Sequence, residues 1–183
     1  KKRASYQDVL DAPEHNVAEV IAGELFLSPR PPSPHARAAS VLGGELGPPF
    51  DHGRGGPGGW FTLYEPELHL GDEPAIVVPD LAGWRRSAMP EMPEVAFFTL
   101  PPDWVCEVAS PSTARLDRVL KLPLYARAGV EYAWVIDPIA RSLEVFRAKG
   151  AQYVLVQTFA DDARARAEPF DAIELELAAL WMR

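Results

Sequence analysis

The sequence predicts an α/β fold on a mixed β-sheet, and three observations carry that reading. Short apolar stretches at 60–64, 104–109 and 131–136 have the length and β-branched or aromatic content of strands. Two longer segments, 34–46 and 110–128, carry helix signals, and Gly129 stops the second. Hydrophobic residues make up 48% of the 183 positions and charged residues 24%, which excludes disorder over most of the length. With no internal repeat and no linker, residues 1–183 are expected to form one domain.

Taken in order, Ser5 to Asp8 reads as the capped start of a short helix. Residues 17–21 and 24–27 read as strands joined at Ala22-Gly23. Ser33 is the expected N-cap of the helix at 34–46, with Pro34 in its first turn and Ala38, Ala39, Leu42 and Leu46 at helical spacing. Five glycines and a proline make 53–59 an open loop without the Gly-Lys-Ser/Thr ending of a phosphate-binding loop. Strands follow at 60–64, 67–70 and 76–81, then a proline-rich connection at 89–102 and a strand at 104–109. After the second helix, three strands at 131–136, 143–147 and 153–159 are separated by turns at Asp137-Pro138 and Lys149-Gly150. The tail from Phe170 suggests one more strand and a short helix.

The net charge of −8 argues against binding nucleic acid through a broad basic surface. It leaves open an enzyme that meets phosphates through a metal held by acidic side chains. No apolar run approaches the ~20 residues of a membrane span, and the first twenty residues lack the apolar stretch of a signal peptide. A single cysteine, Cys106, points to a reducing cytoplasm.

Glu107 stands inside the apolar run Trp104-Val-Cys-Glu-Val-Ala109. A buried carboxylate there costs several kcal/mol, of order the buried-ion penalty, unless paired or bound to a cation; an edge strand facing water would remove that cost. Asp80 ends Ile76-Val-Val-Pro-Asp80, where turn chemistry is an equally ordinary explanation. Together, two acids on neighbouring central strands could converge on one hard cation, and strand alternation puts Val105, Glu107 and Ala109 on one face. The following helix sets Asp117, Lys121 and Tyr125 four residues apart; an exposed Asp–Lys pair worth about 0.3–0.5 kcal/mol would explain the first two. His35, in a first helical turn, is expected to be neutral, with a packing role and a site role equally open. His15, His52 and His69 share no metal-ligand spacing, and Ser110, Ser112 and Thr113 read as helix caps.

Several stretches together resemble a known family. They are Gly23-Glu-Leu25, Pro34-His35, Val78-Pro-Asp-Leu81, Val105-Cys-Glu-Val-Ala-Ser-Pro-Ser-Thr113, then Asp117, Lys121, Tyr125, Gly129-Val130 and Val135-Ile-Asp-Pro138. The family is the Uma2 group of bacterial restriction-endonuclease-like proteins, within the PD-(D/E)xK nuclease superfamily, and the resemblance spans roughly residues 6–147. It implies a restriction-endonuclease-like core, a mixed sheet flanked by helices, and a Mg²⁺ site, with Mn²⁺ as a substitute. Asp80 and Glu107 match the two acidic motif positions and would be ligands, together with the main-chain carbonyl of Val108. The motif's usual lysine slot holds Ala109, and Lys121 takes the place of the family's helix lysine. Tyr125 completes a Gln-x-x-x-Tyr-like helix, with Lys121 in place of the glutamine and Pro123 between the two. Glu24 and His35 are implied as supporting residues.

The expected function is therefore Mg²⁺-dependent hydrolysis of DNA phosphodiester bonds, with a nuclease-fold binding or regulatory module as the alternative. A two-carboxylate glycosidase uses the same residue types but lacks the family resemblance. Lys121→Met is expected to reduce cleavage far more than stability. A homodimer is expected through the strand edge within 132–159, with Trp134, Phe146, Tyr153 and Phe159 as sources of apolar area, although Trp134 fits a core position better.

Overall fold

Pro79 organises the centre of the molecule. The apolar stretch 76–81 reads as one strand, yet proline has no N–H to give a ladder, and the chain changes sheets there. In the computed structural model, which describes residues 3–71 and 75–182, strand β5 (Ala75–Val77) ends before Pro79 and β6 (Leu81–Arg85) begins just after Asp80. The ends of the span expected as one domain, Lys1, Lys2 and Arg183, lie outside the described residues.

A short helix α1 (Tyr6–Leu10) leads into the hairpin β1 (Asn16–Ile21) and β2 (Glu24–Pro29). Its two-residue turn places Ala22 at φ 53° and Gly23 at φ 76°, the left-handed pair that matches strand twist. Helix α2 (Ser33–Leu46) is capped by Pro32, so Ser33 lies inside the helix rather than at its cap. A π-helical turn (Gly47–Asp51) follows, then the loop 53–59, where Gly53, Gly55, Gly58 and Gly59 all have positive φ. Strands β3 (Trp60–Tyr64) and β4 (Leu68–Leu70) precede β5, and β7 (Trp104–Val108) follows the proline-rich connection.

Helical chain joins β7 to its parallel neighbour β8 (Tyr132–Asp137): α3 (Ala114–Leu116), a π-helical segment (Asp117–Lys121) and α4 (Leu122–Arg127). Pro123 falls in the first turn of α4, where its missing N–H does least harm, and the widened π turn precedes it. Long strands β9 (Ser142–Lys149) and β10 (Gln152–Ala160) come next. A short strand β11 (Arg164–Ala165) precedes Phe170, and the tail beyond it forms the expected strand, β12 (Leu175–Glu176), and short helix, α5 (Ala178–Trp181).

The larger sheet runs β10-β9-β8-β7-β6-β3 and is mixed, parallel only between β7 and β8; the smaller runs β2-β1-β5-β4. Alternation along β7 divides the core. Trp104, Cys106 and Val108 face Ala38, Leu42 and Leu46 of α2, with Trp134 and Phe170. Val105 and Ala109 face the opposite core, with Leu122, Leu124 and Tyr125 of α4 and Ile21, Leu68 and Val77 of the smaller sheet. The chain therefore has the expected mixed sheet with helices on its two faces, and Glu107 lies on the face that meets the smaller sheet.

Candidate active site

β6 and β7 are antiparallel with Leu81 opposite Cys106 and Ala82 opposite Val105, so one step back along that register Asp80 faces Glu107. Both carboxylates line one cleft of about 50 Å³, with His35, Asp117, Lys121 and Glu19. Asp80 is held from two sides: the Val108 N–H donates to its Oδ2 (2.7 Å), and His35 Nε2 lies 3.1 Å from its Oδ1. His35 itself is buried, and its Nδ1 has no hydrogen-bond partner among the described residues. Glu107 is buried, and its Oε1 accepts from Tyr125 OH (2.6 Å) and from Lys121 Nζ (2.9 Å).

Lys121 is the hub. Its Nζ lies 2.8 Å from Glu19 Oε1, 2.9 Å from Glu107 Oε1 and 3.8 Å from Asp117 Oδ1, and it donates to the Val78 carbonyl at 3.2 Å. The stripe 117–121–125 thus points inward; Asp117 and Lys121 are 3% exposed, which rules out an exposed surface pair. Burial also changes what Lys121→Met measures, because removing this ammonium must strand buried carboxylates and cost stability as well.

Glu19 is the residue that sequence reasoning missed. It sits on β1, is 3% exposed, and its Oε1 also accepts the Val78 N–H at 2.8 Å. The Val78 peptide group, freed where β5 ends, is thereby satisfied on both sides by site side chains. The signal was present: Glu19 interrupts Val17-Ala-Glu-Val-Ile21 as Glu107 interrupts its own strand. Glu24, by contrast, is exposed at the turn end of the hairpin opposite Ile21 and is not among the residues lining the cleft. Register explains the difference, because Glu19 lies five residues before Glu24, in the stretch of β1 that reaches β5 through Val20 and Ile76.

Ser110 Oγ contacts the hydroxyls of Ser112 and Thr113 and accepts the Thr113 N–H at 3.3 Å, which makes a turn ahead of α3, whose N-cap Thr113 has no side-chain capping bond. His69 stacks on Phe97 and contacts Glu67 at 2.7 Å, while His15 and His52 are exposed.

Against known proteins, residues 4–179 match the model of the Uma2 family, described as "Putative restriction endonuclease". The chain belongs to the Uma2 family. Its fold is similar to a crystal structure described as a putative nuclease belonging to DUF820 from Anabaena variabilis, with a TM-score of 0.71, 22% identity and 97% of each chain covered. No curated protein matches the chain.

In this Uma2 chain five carboxylates, Glu19, Glu65, Asp80, Glu107 and Asp117, line the cleft with one ammonium, that of Lys121. The electrostatic consequences follow from that surplus. Burial, opposed by Lys121 and helped by Asp117, Asp80 and Glu19, raises the Glu107 carboxyl well above its ordinary range. Burial likewise pushes Asp117 up to about 6, with Lys121 pulling the other way. Burial acts to lower Lys121, but Glu107, Glu19 and Asp117 outweigh it and hold the ammonium well above its usual value. Burial and then the Glu107 charge push the Tyr125 phenol up, so it stays a donor to Glu107.

The donor set suits a hard divalent cation. The acids offer oxygen ligands only, and their charge exceeds what Lys121 offsets. Among the described residues no three His, Cys, Asp or Glu side chains converge to hold a metal by themselves. Two carboxylates are what Mg²⁺ typically takes from a protein, since it keeps waters and substrate phosphates as its other ligands.

Proposed function

We propose that this chain hydrolyses phosphodiester bonds in DNA with a divalent cation, Mg²⁺ or Mn²⁺, held by Asp80, Glu107 and the Val108 carbonyl. The observation that carries the proposal is the facing pair Asp80 and Glu107 beside a buried lysine, in a chain of this family. Bound there, the cation supplies Lewis acidity toward water and phosphate. The chain's own groups do the rest. The Val108 N–H and His35 fix the two oxygens of Asp80, and Tyr125 OH fixes Oε1 of Glu107, so neither carboxylate must reorganise to receive charge. Lys121 places a permanent positive charge at the wall of the cleft, where negative charge on a phosphate grows during displacement. Glu19 positions that ammonium.

One observation favours the second reading, a nuclease-fold module that binds without efficient cleavage. All three N–H donors of Lys121 are taken by Glu19, Glu107 and Val78, so one must be released before the lysine can bond a phosphate. Metal-stripped protein incubated with plasmid and single-stranded DNA, with and without Mg²⁺ or Mn²⁺, separates the readings. Metal-dependent cuts that Glu107→Gln abolishes support the nuclease; binding without cuts supports the module.

The protein also acts as a homodimer in this proposal, because cutting a duplex takes two breaks. Of the aromatic residues named for that contact, Trp134 is fully buried, while Phe146, Tyr153 and Phe159 are half-buried, each packed in part against a core. The support is aliphatic instead. Edge strand β10 carries no charged residue over nine positions and exposes Val154, Leu155 and Val156. Unprotected edges of this kind invite pairing with a second strand.

A further inference from the structure

A groove of about 890 Å³ lies beside the cleft. The two share the first turns of α2: His35 lines the cleft, while Ser33, Pro34 and Arg37 line the groove. Residues 35 and 37 point to nearly opposite sides of a helix, so these turns form a common wall. The far wall is the β8–β9 turn with Ile139 and Arg141, and Trp181 and Met182 close the end.

Its charge is opposite to that of the molecule. The chain has 26 acidic and 18 basic residues, yet the groove is lined by two arginines and no carboxylate. Arg85, Arg86, Arg118, Arg147 and Arg164 are each engaged by a carboxylate. Among the described residues the side chains of Arg37 and Arg141 have no such partner. Arg141 holds its place at φ 52°, where glycine would sit with less strain. Apart from Ser33 and the two arginines the lining is apolar, and it includes Ile139, 73% exposed.

We propose that this groove carries the sugar-phosphate backbone of a DNA strand as it leaves the cleft, with Arg37 and Arg141 each meeting one phosphate. The proposal rests on the nuclease reading and names where the substrate lies. A negatively charged protein has little affinity for a polyanion except where charge is locally reversed, and here the reversal adjoins the acidic cleft. Two cations in a largely apolar lining suit a strand whose sugars and bases contact that lining while its phosphates meet the arginines.

The test is fluorescence anisotropy of a labelled 20-nucleotide strand and its duplex, in EDTA, from 50 to 200 mM salt. Losing two phosphate contacts flattens the salt dependence by about 1.8 in log–log slope for duplex and about 1.4 for single strand. Wild-type affinity should therefore fall about 12-fold more than that of Arg37→Gln/Arg141→Gln for duplex over this range, and about 7-fold more for single strand. Arg37→Lys/Arg141→Lys should keep the wild-type slope. Both arginines are exposed, so the variants should fold normally. Equal slopes for wild type and the glutamine variant overturn the groove while leaving the nuclease reading intact if wild type still cuts with Mg²⁺ or Mn²⁺. A glutamine variant that changes sedimentation instead of DNA affinity makes the groove a contact between copies and also overturns it. Wild type that neither binds nor cuts DNA overturns both.

Discussion

Lys121→Met removes the one ammonium from a cleft that holds Glu19 and Glu107, whose side chains are each 3% exposed. Breaking a buried ion pair by deleting one partner costs about 3–5 kcal/mol, because the remaining charge keeps its desolvation penalty. In a protein of this size 1 kcal/mol moves the melting temperature by about 2–4 °C, so Tm should fall by about 6–20 °C at pH 7.5. The loss should shrink toward pH 5. Without the ammonium the Glu107 carboxyl, already raised, rises further above its unfolded value, and a raised acid regains stability as it takes up its proton. Glu19→Gln then supplies the decisive comparison, since its amide oxygen can still accept the Val78 N–H, which lies 2.8 Å from Glu19 Oε1 in the wild type. The double variant Glu19→Gln/Lys121→Met should recover a substantial part of the loss, a coupling of at least about 1 kcal/mol. Thermal and urea unfolding of the four proteins measure it. A Lys121→Met protein melting within about 2 °C of wild type, less than 1 kcal/mol is worth, or strictly additive effects in the cycle, would refute the claim that Lys121 neutralises these acids.

Asp117 sits at about 6 rather than 3.8, so its ionised form costs about 3 kcal/mol in the folded state. That cost grows as pH rises between those values and is full above 6; Asp117→Asn should therefore be more stable at pH 8, by up to about 3 kcal/mol, with a flatter pH profile in urea unfolding. Gly83→Ala should cost about 1–3 kcal/mol in the same assay, because a Cβ there would come within 3.2 Å of Trp104 and 3.3 Å of Trp60. Sedimentation in moderate salt should give twice 20.1 kDa, and Leu155→Lys should return the monomer mass; a wild-type monomer at micromolar concentration would sink the β10 interface. Glu24→Gln should leave metal-dependent cleavage within about twofold, since Glu24 lies on the exposed hairpin turn. A tenfold loss would put Glu24 back in the site.

The legible part of the site is the part that breaks a local rule. Glu107 in an apolar strand and the 117–121–125 stripe are visible because buried charge and helical spacing leave marks in a single segment. Glu19 leaves the same mark, but the family resemblance points to Glu24 instead, which lies inside Gly23-Glu-Leu25. Spacing along one hairpin does not say which acid reaches a neighbouring strand; the β1–β5 pairing does. The change of sheet at Pro79 is hidden for a related reason. Ala82-Gly-Trp-Arg85 has a glycine and an arginine where a strand pattern expects apolar or β-branched residues, and only pairing with β3 and β7 makes it a strand. The helix at 34–46 and the hairpin turn at 22–23 are legible because their signals are local, and the turn expected at 149–150 falls one residue later, at 150–151.

The glycine loop at 53–59 divides the site's contributors by chain position. A cut there would leave Glu19 and His35 on one piece and Asp80, Glu107, Lys121 and Tyr125 on the other. The first piece would lose the ammonium that neutralises Glu19, while the second would keep Lys121 beside Glu107 and Asp117 but lose Glu19 as its third acid. Activity regained on mixing the pieces would therefore count reassembled molecules, which makes the loop a natural place to split the protein into a two-part reporter of its own reunion.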